Sequence, residues 1–119
     1  MTHFTNLPHC YFFKDSYYFK KNINPKYLKN KNKQFIFRRS LKLILNKKMY
    51  KFFSINEEEL KKFLIHINLE LTNFLKKGEK VDTHDINFFI HKITEDYIQR
   101  AIIENSELEE KRLKELQNI

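Results

Sequence analysis

The chain has 119 residues, 41 % of them hydrophobic, which is room for one small domain. Its apolar runs are only a few residues long, against the roughly 20 that a transmembrane helix needs; the single cysteine excludes an internal disulfide and a CxxC zinc site, and the single glycine excludes a Gly-rich phosphate loop. The net charge of +8 divides unevenly, with thirteen Lys/Arg and one acid (Asp15) in residues 1–56 but ten Lys/Arg and fourteen acids in residues 57–119, and such asymmetry is a signal in its own right.

Residues 1–34 form the first unit. They mix aromatic clusters (Tyr11-Phe12-Phe13, Tyr17-Tyr18-Phe19) with Lys and Asn and two prolines, Pro8 and Pro25, and show no clean period. A basic, acid-poor amino terminus reads as a disordered leader suited to organelle import, because an inside-negative membrane potential draws positive charge inward. The competing readings are a permanently structured extension or a disordered basic arm for RNA: lysines release counterions from phosphates, and the interleaved aromatics can stack on unpaired bases.

Residues 35–119 form the second unit. In residues 35–53, Leu41, Ile44, Leu45, Lys48 and Phe52 fall near helical spacing and predict a short basic helix. The next helix is the strongest signal. Ser54 or Asn56 stands at its cap, and Glu57, Glu58 and Glu59 suit the positive end of its dipole. Leu60, Phe63, Leu64, Ile67, Leu71, Phe74 and Leu75 then recur at steps of three and four on one face. Lys76 and Lys77 close it before Gly78. A polar connector follows, in which Asp82 and Thr83 are natural turn and cap residues. Residues 86–103 read as one helix, or as an extended piece followed by a helix. The charged tail from Asn105 reads as a solvated helix with Leu108, Leu113 and Leu116 on one side.

No catalytic residue, metal-ligand set or cofactor motif emerges. The five histidines lack HxxxH and HExxH spacing, and Cys10 has no evident histidine partner. Adjacent acids such as Glu95-Asp96 point apart on a helix. The expected class is therefore a binding module or an accessory subunit, and the expected fold is mainly α: a small helical hairpin or bundle with a disordered basic N-terminal extension and an extended connector.

The run Ile55 to Ile86 resembles the GatC family, the small non-catalytic subunits of glutamyl-tRNA(Gln) amidotransferase. Ile55-Asn56-Glu57-Glu58-Glu59 fits that family's linker. Phe63 and Phe74 fit positions in its amphipathic helix, and Asp82-Thr83-His84-Asp85-Ile86 fits its Asp-Thr turn with a branched apolar residue three positions on. The resemblance implies a mitochondrial or plastid hetero-oligomer with GatA-like and GatB-like subunits, touching tRNA only indirectly and no membrane. It also implies that the Leu60–Leu75 stripe, Asp82, Thr83 and Ile86 bind those partners. The stripe can equally be the chain's own core in a helical protein without those partners, and two rivals stand beside it. Lys80–Ile90 resembles the last loop and helix of a histone fold, implying a nuclear scaffold, and the basic half suits an organellar ribosomal or RNA-binding protein.

Overall fold

The computed structural model describes residues 3–29 and 35–117, with side chains described as far as residue 101. Its elements run β1 (Cys10–Phe13), β2 (Ser16–Ile23), a short 3-10 turn (Pro25–Tyr27), β3 (Phe35–Ser40), α1 (Leu41–Ile44), α2 (Lys47–Ile55), α3 (Glu57–Leu75) and α4 (Thr83–Gln117). The fold is α+β, which overturns the expected mainly-α bundle. It equally overturns the disordered extension, because β1 and β2 both come from the supposed leader. Residues 30–34 of that segment lie outside the described residues.

The three strands form an antiparallel sheet in the order β1-β2-β3. Lys14 and Asp15 make the two-residue β1–β2 turn, both at positive φ (47° and 59°), the backbone twist that right-handed hairpins favour. Side chains alternate across β2. Tyr17, Phe19 and Ile23 are buried, whereas Lys20 and Asn22 are exposed. On β3, Phe37 is buried between the exposed Ile36 and Arg38. The predicted basic helix over residues 35–53 is thus a strand followed by two short helices. Ser40 ends the strand and caps α1, its hydroxyl accepting the Lys42 amide at 3.2 Å.

The sheet's inner face and the helices share one core. Phe19 and Phe37 meet edge to face at 6.3 Å, in the same cluster as Leu41, Leu60, Phe63, Leu64, Ile67, Leu71, Ile86 and Ile90. Lys21 also lies on the inner face. Its ammonium donates to Asn68 Oδ1 (2.6 Å) and Thr72 Oγ1 (2.9 Å) of α3, and burial, with Lys76 nearby, lowers its pKa. The sheet is pinned to α3 by this polar clamp as well as by apolar contact.

Two cap expectations change. Asn56 makes no side-chain cap bond to α3; its amide donates to the Phe52 carbonyl at 2.7 Å, and the Ser54 hydroxyl donates to the Tyr50 carbonyl. Both side chains finish α2 and leave the start of α3 to its acids, where Lys61 pairs with Glu57 and Glu58. Gly78, at φ +96°, follows the end of α3 as expected. The open question over residues 86–103 resolves as continuous helix, since α4 runs unbroken from Thr83 to Gln117.

Candidate nucleic-acid interface

The outer face of the sheet is the candidate site. Strand alternation puts Tyr11 and Phe13 of β1, Tyr18, Lys20 and Asn22 of β2, and Ile36 and Arg38 of β3 on one side. Cross-strand register places Tyr11 opposite Tyr18 and Lys20 opposite Arg38. The two tyrosine rings stack at 5.1 Å, and Phe13, 53 % exposed, meets Tyr18 edge-on at 6.4 Å. Lys14 sits over the Phe13 ring at 5.3 Å. Lys20 and Arg38 are exposed and make no ion pair among the described residues. Like charges directly opposite on a sheet are unfavourable, so this pairing costs stability that folding alone does not explain.

The surrounding structure holds the face in place. A buried hydroxyl pair, Ser16 Oγ to Ser40 Oγ at 2.7 Å, ties the end of β2 to β3. The Tyr17 amide donates to the Tyr50 hydroxyl of α2 at 3.1 Å. Helix α2 in turn presents Lys47, Lys48 and Lys51 to solvent, with Lys42 just before them. Asp15, at the tip of the first hairpin, is the one acid in this half of the chain.

The residues singled out from the sequence fall elsewhere. Leu60, Phe63, Leu64, Ile67, Leu71, Leu75 and Ile86 are buried in the chain's own core. Phe74 is partly buried and stacks on Phe89 at 4.1 Å. Asp82 and Thr83 are exposed at the start of α4. There Asp82 Oδ1 accepts the Asp85 amide (2.8 Å) and Asp85 Oδ2 accepts the Asp82 amide (3.0 Å), a reciprocal capping box. The Asp-Thr pattern therefore has a local role in starting a helix. Cys10 is half-buried, and burial pushes its thiol up to about 12, which leaves almost no thiolate for nucleophilic chemistry at neutral pH.

Reasoning from sequence missed the sheet face, although its signal was present. Tyr18, Lys20 and Asn22 alternate with Tyr17, Phe19 and Ile23, but Lys21 interrupts the apolar set and hides the period. No protein-family model, no curated protein and no solved structure matches the chain.

Proposed function

We propose that the chain is a nucleic-acid-binding module that lays the outer face of β1–β3 on duplex DNA. The observation that carries this reading is the exposed Lys20–Arg38 pair at the centre of an acid-free sheet face. Two cations held side by side without a counter-charge suit a polyanion, and lysines and arginines release counterions on meeting phosphates. Two of the strands, their axes about 4.8 Å apart, form a ribbon of the kind that the B-form major groove, about 12 Å wide, admits. The deep, narrow major groove of A-form RNA does not admit side chains. Tyr11 and Tyr18 cover one face of each other, which favours contact with base edges and sugars over base stacking.

Fluorescence anisotropy with labelled duplex DNA, single-stranded DNA and an RNA hairpin tests the reading. Duplex DNA should bind best, with affinity falling as salt rises. Arg38→Ala should weaken binding by about 1–3 kcal/mol while raising the melting temperature slightly, since it relieves the Lys20–Arg38 repulsion. A Lys20→Glu/Arg38→Glu chain that binds duplex DNA as the parent does would overturn it.

A second reading, the amidotransferase accessory subunit, is favoured by one observation. Phe88, 70 % exposed, borders a groove of about 790 Å³ with Phe74, Val81 and Phe89 beside the Asp82 turn. That is where the resemblance to the GatC family implies contact with a second partner. Because the α3 stripe is internal, docking through this groove is the form that the reading now takes. Co-expression with GatA-like and GatB-like subunits checks it: Phe88→Asp should abolish co-purification while leaving the fold intact. Phe63→Asp does not discriminate, since Phe63 is buried in the core.

A further inference from the structure

The two edges of the sheet are unlike. β1 has four residues, and His9, at φ 54°, breaks the strand on its amino-terminal side. β3 has six residues in continuous register with β2 and holds neither a proline nor a bulge, two of the devices by which proteins blunt a strand edge.

Main-chain geometry fixes what the β3 edge offers. In an antiparallel pair, opposed residues alternate between exchanging both N–H···O bonds and exchanging none. The Lys20 amide donates to the His9 carbonyl at 2.8 Å, so Lys20 turns its main-chain groups toward β1. Phe19 and Lys21 therefore turn theirs toward β3, onto Arg39 and Phe37. The N–H and C=O of Ile36 and Arg38 consequently point out of the sheet, and they make no hydrogen bond among the described residues. On the inner face beside them, Arg39 Nε is buried with no hydrogen-bond partner among the described residues.

We propose that two copies of the chain join antiparallel along β3, about a two-fold axis at Phe37, so that two three-stranded sheets become one. That axis sets Ile36 opposite Arg38 of the other copy, and the outward groups of this pair exchange both their bonds. The pairing occurs twice, because a two-fold interface is isologous. On the inner face Phe35 of one copy stands opposite Arg39 of the other, an aromatic ring for an unpartnered guanidinium. An axis at Arg38 would instead set Arg38 directly against Arg38, which like charges disfavour. An axis at Ile36 would overlap only residues 35–37 of the strand. The occupant is a second copy because this one register gives the edge donors, the edge acceptors and Arg39 their partners together. A contact this short belongs to the weak, transient class. Its bonds are main-chain and each copy carries a net charge of +8, so salt tightens the dimer by screening the repulsion.

Sedimentation equilibrium of the full chain should show a monomer–dimer equilibrium that moves toward dimer as salt rises. Ile36→Pro deletes an outward N–H and leaves the ladder to β2 intact, so it should be monomeric with an unchanged circular-dichroism spectrum. Cross-linking reads the register itself and does not depend on that proline. In a Cys10→Ser background, Ile36→Cys and Arg38→Cys chains are mixed in equal amounts and oxidised. Opposed residues have Cα atoms about 5.5 Å apart, within disulfide reach, whereas Ile36 to Ile36 and Arg38 to Arg38 are diagonals of about 7–8 Å, beyond it. The mixed dimer should exceed the half-share of cross-links that random collision gives. A parent chain that stays monomeric at every concentration and salt, a dimer that salt disperses, or a mixture cross-linked only at random would overturn the proposal. So would a folded Ile36→Pro chain that dimerises as the parent does.

Discussion

Asp82 shows how one side chain serves several bonds at once. Its carboxylate accepts the Asp85 amide, and Lys29 lies 3.7 Å away. The amide bond lowers the Asp82 pKa below its ordinary value against an opposing effect of desolvation, with Lys29 adding to the lowering. A carboxyl whose pKa is depressed by folding contributes stability that is present above its unfolded pKa, near 4, and lost as pH falls through the lower folded value. Thermal melts from neutral pH down to about pH 2 should therefore show part of the acid destabilisation arising here. Asp82→Asn, which retains an oxygen to cap with but cannot ionise, should show a shallower fall over that window. Equal slopes for the two chains would remove this account.

The β1–β2 hairpin is the instructive element. Its turn carries Lys14 and Asp15 at positive φ, where Asn-Gly is the ordinary choice and non-glycine residues carry strain. Replacing Lys14-Asp15 by Asn-Gly should stabilise the chain by about 1–2 kcal/mol, read as a higher midpoint in urea. The same replacement deletes one cation and the half's only acid, so the sheet's net charge is unchanged. The missing Asn-Gly is one reason that the hairpin was illegible from sequence. The other is Lys21, a lysine on the buried side of β2. Its ammonium is satisfied by Asn68 and Thr72, 47 and 51 residues further on, and no local pattern reports so distant a partner. By contrast α3 was legible throughout, from Glu57 through the buried stripe to Gly78, because a helix satisfies its backbone locally and shows its one apolar face with a fixed period.

At the scale of the whole molecule, residues 3–29 contribute to the core. Tyr17, Phe19, Ile23 and Leu28 are buried, and Leu28 pairs with Val81 in a parallel bridge, the Lys29 amide donating to the Val81 carbonyl and the Val81 amide to the Tyr27 carbonyl. The amino-terminal segment thereby holds the connector between α3 and α4. A chain lacking residues 1–34 would leave the α3 stripe uncovered, and each large apolar side chain so exposed costs about 1.5–3 kcal/mol. Against the roughly 5–15 kcal/mol of net stability expected of a domain, the loss summed over several such side chains is decisive. The truncated chain should be insoluble or lack a cooperative melt. A soluble, cooperatively melting truncation would mean that the helices are a self-sufficient unit and the sheet an accessory.

The sequence by itself determined the charge division, the absence of catalytic motifs, the amphipathic α3 with its acidic start and glycine stop, and Asp82 and Thr83 as turn or cap residues. Each of these is written in residues a few positions apart. Only the tertiary structure decided that the stripe faces the chain's own sheet, that the basic segment is strands, and that Lys20 and Arg38 stand side by side on an open face. Those outcomes depend on β2 pairing with β3 and on α3 packing beneath them, contacts between residues tens of positions apart whose partners no local period names.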